Sequence, residues 1–260
     1  MIVMERRNKI KEIVRSKKSV KVSELVHLFK VSEETIRRDL NQIEKDGLIQ
    51  KNYGGAILLE DIDQPMDFIL PVQQRKRQFL TEKNEIGRRA AELVQEGQIV
   101  ILDAGTTTWC TVKNLHQLKD LTIISNALNV VEECSKNGDS SIYLLGGKLR
   151  RHSMSLVGPQ IESELEKYSA NYVFLGTSGF SLRQGFMSSD LYEAEIKRAM
   201  VSAGEKIVLL ADHSKFQKVG LTSFCHLKDI DILITSDLVD EQILKEIRDA
   251  GVEVIAVPLP

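Results

Sequence analysis

The sequence predicts an α/β chain in two parts, a small helical domain with a β wing followed by a larger domain on a mainly parallel sheet. Three observations carry this. Residues 4–45 hold apolar stripes at helical spacing, cut by turn signals. From residue 98 onward, short apolar runs alternate with amphipathic stretches. Between them residues 60–72, with Pro65 and Pro71, break periodicity and lean acidic. The predicted boundaries are therefore 1–59, a linker at 60–72, and 73–260. A chain of 260 residues has room for one small domain and one of ordinary size.

In the first domain, residues 4–16 place Ile10, Ile13 and Val14 on one stripe, with basic residues elsewhere. Ser23 can cap a second short helix that buries Leu25, Val26 and Phe29, and Lys30-Val31 form the tight turn after it. Ser32 caps a third helix, whose Glu33 and Glu34 favour the positive end of its dipole. Ile36, Leu40 and Ile43 follow at i, i+4 and i+7, which leaves Arg37, Arg38, Asn41 and Lys45 on the opposite side. Gly47 is a helix stop, and residues 48–53 and 56–59 read as two strands turning at Gly54-Gly55. The whole is a winged helix-turn-helix whose wing carries Lys51 and Tyr53.

A helix that packs on one side and presents two adjacent arginines on the other suits a major groove, where Arg grips guanine or phosphate. The competing reading is a small bundle whose charges are only a solvated face. Charge balance argues against it: residues 1–60 hold 13 Lys and Arg against 9 Asp and Glu, whereas the other 200 hold 22 against 28. A basic segment on an acidic body is the electrostatic footprint of nucleic-acid binding.

The run Arg6-x3-Ile10-x3-Val14, a gap of 17 residues, then Ser32-x2-Thr35-Ile36-Arg37-Arg38-Asp39-Leu40 resembles the DNA-binding signature of the DeoR family of bacterial sugar-metabolism regulators. The resemblance implies double-stranded operator DNA as partner. The DNA-facing set is then Ser32, Glu34, Thr35, Arg37, Arg38, Asn41 and Lys45, with Lys51 and Tyr53 from the wing. One recognition helix reads only a few base pairs, so a homo-oligomer, dimer or tetramer, on paired half-sites is expected.

The second domain opens with a long helix from Gln73 to about Gln95, burying Ile86, Ala90, Leu93 and Val94. Strands are read at 98–102, 121–125, 141–145, 171–175, 206–210, 231–235 and 252–257. Helices are read near 107–118, 127–137, 159–167, 191–203 and 240–250, a rhythm that covers both faces of a parallel sheet. Ligands of such sheets bind outside the carboxyl ends of the strands. Those ends are polar here. Asp103, Gly105, Thr106, Thr107 and Thr108 open a helix and suit an anion such as phosphate. Ser125 and Asn126 end the second strand, Gly146 and Gly147 with Arg150 follow the third, Thr177, Ser178 and Gly179 follow the fourth, and Asp212 and Lys215 follow a later one. Any one of these loops could be ordinary turn chemistry; five on one rim point to a site.

Residues 103–108, Ser125-Asn126, 144–150, Val157-Gly158-Pro159 and 210–216 are also similar to stretches of the DeoR effector-binding domain. That domain resembles ribose-phosphate isomerase and related sugar-phosphate enzymes, which implies a phosphorylated sugar as effector. The family's Glu-Ala-x-x-Lys helix is kept as Glu193-Ala194 and Lys197, so Glu193 and Lys197 join the candidate site. Ahead of it the family often has an Asn-Glu-Glu type segment, where this chain reads Ser188-Ser189-Asp190-Leu191-Tyr192.

Two functions follow. The first is a transcription factor, a repressor of a carbohydrate operon, released or modulated by a phosphorylated sugar. The second is an active isomerase or deaminase with an accessory DNA-binding module, for which Glu193, Glu195, Asp212 and His213 are candidates by type but not by spacing. The linked winged helix favours the sensor over the enzyme. Cys110, Cys134 and Cys225 are widely spaced and form no pattern with the five histidines, so neither a disulfide framework, a metal site nor a cofactor is expected. The charged start and short apolar runs predict a cytoplasmic protein without membrane spans.

Overall fold

The stripes of the first 45 residues close a core. Ile10 and Val14 of α1 (Val3–Lys17), Leu25 of α2 (Val22–Phe29) and Ile36, Leu40 and Ile43 of α3 (Glu33–Lys45) are at most 1% exposed in a computed structural model of the chain. The structure describes residues 3–17, 19–45, 49–52, 55–58, 72–136 and 139–259, and the chain divides into two units, Met1–Pro65 and Met66–Pro260. Lys30, in the left-handed region at φ 51°, ends α2 by donating its N–H to the Val26 carbonyl at 2.9 Å.

Two local expectations are corrected. Helix α2 starts at Val22, one residue before the expected cap, so Ser23 lies inside its first turn. The reason is a short strand, β1 (Ser19–Lys21), which runs directly into the helix and pairs antiparallel with β3. The wing strands are β2 (Ile49–Asn52) and β3 (Gly55–Leu58), with Asn52 opposite Gly55. Gly55 therefore belongs to a strand and not to the turn. Gly47, Tyr53, Gly54 and residues 60–71 of the expected linker lie outside the described residues.

The second unit opens with α4 (Val72–Arg77) and α5 (Leu80–Ala91), not with one long helix. The chain breaks at Phe79, which adopts φ 52°, and the buried Lys83 ammonium takes up the carbonyls of Arg75 at 2.7 Å and Gln78 at 2.8 Å. A lysine that satisfies the free carbonyls of one helix from inside the next is what makes the break stable.

All seven predicted strands form. In chain order the elements are β4 (Ile99–Leu102), α6 (Thr106–Leu115), β5 (Thr122–Ser125), α7 (Leu128–Cys134), β6 (Ser141–Leu144), the hairpin β7 (Lys148–Arg150) and β8 (Ser155–Val157), and α8 (Pro159–Leu165). Then come β9 (Ala170–Gly176), β10 (Gly179–Ser181), β11 (Gly185–Ser188), α9 (Leu191–Ser202), β12 (Gly204–Leu210), β13 (Thr222–Cys225), β14 (Ile232–Ser236), α10 (Glu241–Asp249) and β15 (Glu253–Val257). The main sheet has the order β15-β14-β12-β9-β4-β5-β6, and every pairing in it is parallel. Its strands feed alternate residues to two cores. Ile101, Ile124, Val173, Leu175 and Leu209 meet α8, α9 and α10, while Val100, Leu102, Ile123, Phe174, Val208 and Leu210 meet α5, α6 and α7.

The hairpin β7-β8 and a small antiparallel sheet, β10-β11-β13, were not anticipated. Their strands are three or four residues long, too short for a period to be read. The chain leaves β4 for β5 and β6 on one side, then returns to β9, β12, β14 and β15 on the other. The order thus reverses between β4 and β9, and this is where an open α/β sheet holds its ligand.

Candidate functional site

On the first unit, Ser32 Oγ accepts the Thr35 N–H at 3.3 Å, and the two hydroxyls lie 2.8 Å apart. Arg37, Arg38 and Asn41 share the exposed side of α3, as expected. Both arginines lie along the helix: Arg37 bonds Glu33 at 2.6 Å, and Arg38 bonds Glu34 at 2.6 Å. Exposed pairs of this spacing contribute only about 0.3–0.5 kcal/mol, so DNA can displace them. Lys45 ends α3 and Lys51 lies in β2; Tyr53 is outside the described residues.

The neighbouring Asp39 has a different role. It is buried, and it accepts Arg6 Nε at 2.5 Å and Arg7 Nε at 2.9 Å, clamping α1 to α3. An aspartate three residues after Ile36, on the apolar stripe, was the legible signal for a buried partner.

In the second unit Asp103 stands at the switch point. Its Oδ1 accepts the Gly105 N–H at 2.7 Å and the Thr108 hydroxyl at 2.6 Å. Its Oδ2 accepts the Gly176 N–H at 2.9 Å and pairs with the Lys197 ammonium, which also donates to the Gly176 carbonyl at 2.6 Å. One buried carboxylate thus ties β4, α6, β9 and α9 together. Gly105 permits this closeness, since a Cβ there would lie 2.7 Å from both Asp103 Oδ1 and Thr108 Oγ1. Thr106 and Thr107 begin α6, and their hydroxyls bond to no described residue.

The other predicted residues divide into those spent inside the protein and those grouped around the rim. Ser125 Oγ donates to the Leu102 carbonyl at 2.7 Å, and Thr177 Oγ1 donates within its own turn to the Gly179 carbonyl at 2.6 Å. Ser178 and Ser189 place their hydroxyls 3.2 Å apart, and Gly146 and Gly147 are exposed. Asn126 Nδ2 donates to the Leu156 carbonyl at 2.8 Å, leaving its buried Oδ1 without a partner among the described residues. Arg150 bridges Glu193 at 2.7 Å and Asp190 at 3.1 Å, fastening the β7-β8 hairpin to the start of α9. Asp190 caps that helix through the Glu193 N–H, so the departure at 188–192 keeps a working cap.

At the end of β12, Asp212 accepts the Ser214 hydroxyl at 2.5 Å and stands 3.7 Å from both Lys83 and Lys215. Burial works against its charge, but Lys215, Ser214 and Lys83 outweigh burial and hold the carboxyl below its ordinary value. Burial pushes the Lys215 ammonium down to about 8, with Asp212 opposing and Lys83 reinforcing the shift. Glu82 is buried beside this group, accepting His213 N–H at 2.7 Å and Ser236 Oγ at 2.6 Å, with His213 Nδ1 2.8 Å away. Arg75 on α4 is a further cation here: burial lowers its pKa, with Glu193 and Asp103 opposing and Arg150 adding. Glu82 and Lys83 fall four and three residues before the buried Ile86, so charge on an apolar stripe again marked an interior role.

A helix that presents two adjacent exposed arginines on one unit, with a polar strand-end rim carrying partly buried cations on the other, defines a DNA-binding transcriptional regulator with a sensor domain. Residues 6–61 match the DeoR-like helix-turn-helix domain and residues 78–237 the DeoR C terminal sensor domain, and the chain belongs to the DeoR family. The uncharacterized HTH-type transcriptional regulator YulB of Bacillus subtilis is 36% identical over 259 residues, covering 100% of this chain and 98% of that one. The HTH-type transcriptional regulator GolR of Listeria innocua is 33% identical, with 98% of each chain covered. The putative aga operon transcriptional repressor of Escherichia coli O157:H7 is 33% identical, covering 97% of this chain and 93% of the other. Among the described residues no helix is long and apolar enough to cross a membrane, and no group of three His, Cys, Asp or Glu could hold a metal ion.

Proposed function

We propose that this regulator is a homo-oligomeric repressor of a sugar-utilisation operon, and that a phosphorylated sugar on the strand-end rim changes its hold on DNA. The observation that carries this is the pair of unspent hydroxyls at Thr106 and Thr107 on the first turn of α6, on the rim that gathers Arg150, Lys197 and Lys215. Helix amides, hydroxyls and cations together suit a phosphate. Asp103 holds the rim in shape, and the unspent, buried Oδ1 of Asn126 supports reading that side chain as an acceptor for a sugar hydroxyl once the rim opens to ligand. The segment 60–71 links the two units in the chain, and occupancy shifts the DNA-bound arrangement only by differential affinity for the two states. We read the rim as sensing and not turning substrate over: the Asp103 carboxylate at the switch point is engaged by Gly105, Thr108, Gly176 and Lys197 as a structural tie, and the linked DNA-binding domain favours a sensor. The names of the relatives, an aga operon repressor among them, support repression.

The test is to select tight duplexes from a random library. Wild type, Arg38→Ala and Thr107→Ala are then titrated on them with and without ribose 5-phosphate, fructose 1-phosphate or glucose 6-phosphate. Arg38→Ala should lose about 1–3 kcal/mol on selected duplex. Thr107→Ala should bind DNA as wild type does but require at least about tenfold more sugar phosphate for release, the cost of one charge-assisted bond. Release at the wild-type concentration would remove the phosphate from this loop.

A further inference from the structure

The seven-stranded sheet has two edges, and the chain treats them differently. Strand β15 begins with Glu253 and is followed by Pro258 and Pro260, devices that discourage a further strand. Strand β6 reads Ser-Ile-Tyr-Leu, with neither charge nor proline, and among the described residues no strand pairs with its outer side. Tyr143 is 48% exposed and Leu144 is 42% exposed, so apolar side chains stand out on both faces of this edge. Its backbone is open as well. The Ser141 and Leu145 N–H groups donate to the Leu121 and Ser125 carbonyls at 2.8 and 2.9 Å. By alternation, the N–H and carbonyl groups of Ile142 and Leu144 point away from the sheet.

We propose that β6 is the interface with a second copy of this chain, joined antiparallel about a twofold axis so that the two sheets become one. This rests on the reading of the protein as a homo-oligomer. Charge selects the occupant and its direction. Asp139 is exposed before the strand and Lys148 is exposed after it. An antiparallel copy sets acid beside base at both ends, whereas a parallel copy sets like beside like. Only outward-facing residues exchange ladder bonds, so the centred register pairs Ile142 with the partner's Leu144 and Leu144 with the partner's Ile142. That leaves Tyr143 opposite the partner's Tyr143, in the closer, non-hydrogen-bonded kind of pair. Tyr143 already meets Tyr168, with ring centroids 6.1 Å apart, so the join extends an aromatic row. Two sensor units joined in this way carry two DNA-binding units, the number that paired half-sites need.

The full-length protein is compared with its Tyr143→Lys, Tyr143→Glu and Leu144→Pro variants by light scattering and sedimentation over a range of concentrations, with thermal unfolding as the check on folding. A twofold interface is lost as a whole, so each variant should fall to half the wild-type mass, whether wild type is a dimer or a tetramer. Like charges facing each other across the axis should raise the dissociation constant at least about tenfold. Leu144→Pro removes an outward N–H and no bond to β5, which a proline on an edge strand tolerates. An equimolar mixture of Tyr143→Lys and Tyr143→Glu should regain the wild-type mass, because opposite charges then meet across the axis. A variant damaged elsewhere would not recover on mixing. If Leu144→Pro fails to fold, the two charge variants and their mixture decide alone. Folded variants that keep the wild-type mass refute the role of β6 and leave the homo-oligomer reading intact. A mixture that stays dissociated also overturns the proposal, since residue 143 then does not face its own copy. If wild type is a monomer at every concentration, both the homo-oligomer reading and the role of β6 are refuted.

Discussion

Replacing Asp103 by Asn changes little in shape and much in bonding. The new side chain keeps one acceptor, enough for the Gly105 N–H and the Thr108 hydroxyl at 2.7 and 2.6 Å. Its NH2 group then faces two donors, the Gly176 N–H and the Lys197 ammonium, where the carboxylate accepted both. Turning the amide over only moves the conflict to the other side. An orphaned buried N–H costs about 1–3 kcal/mol, and breaking a buried ion pair from one side costs about 3–5 kcal/mol. The two overlap, because Lys197 retains the Gly176 carbonyl. A total near 3–5 kcal/mol should lower the melting midpoint of the second unit by roughly 6–20 °C. The assay is thermal unfolding followed at Trp109, which lies in that unit. Adding Lys197→Met removes the ammonium that has lost its partner, so the double variant should be more stable than the sum of the single losses predicts. An Asp103→Asn midpoint within about 2 °C of wild type would refute the view that this carboxylate holds β4 to β9.

Two further outcomes follow from other buried charges. Asp39→Ala strands the buried Arg6 guanidinium and should cost about 3–5 kcal/mol, a large share of what so small a unit has; DNA binding should vanish while the Trp109 transition stays in place, as measured by titration and melting. Lys215, depressed to about 8 by burial among Asp212, Lys83, Lys218 and Arg75, should be pulled back upward by a bound phosphate dianion. Binding then takes up a proton between pH about 8 and the higher value Lys215 has when bound, so its contribution to affinity is full below about 8 and is lost as pH rises above that through the bound value; calorimetry in buffers of different ionisation enthalpy should show the uptake, and a Lys215→Met protein should not.

The fold was legible where period and length agree. Seven apolar runs became seven parallel strands; the central ones are buried on both faces, as Val100 and Ile101 show by feeding opposite cores, whereas the edge strand β6 stays largely exposed. The break between α4 and α5 was hidden, since nothing local marks Phe79 for a left-handed conformation; its cause is Lys83, whose ammonium acts on the preceding helix. The strand-end rim was visible in loop composition, but composition does not say which polar groups remain unspent. Ser125 and Thr177 have the right chemistry and consume it internally, while Thr106 and Thr107 do not.

The position of β4 between β5 and β9 also bears on how the protein comes into being. A ribosome delivers residues in order, so β4, β5 and β6 can pair early, their contacts lying close in sequence. The partners of the Asp103 carboxylate arrive far later: Gly176 is 73 residues on and Lys197 94 residues on. Until then the nascent half-sheet carries an unmatched negative charge at its growing edge, which keeps that edge hydrated and poor at pairing with strangers. Closure over such sequence separations is slow. The aspartate that ties β4 to β9 and α9 thus meets its full set of partners only when α9 has left the ribosome.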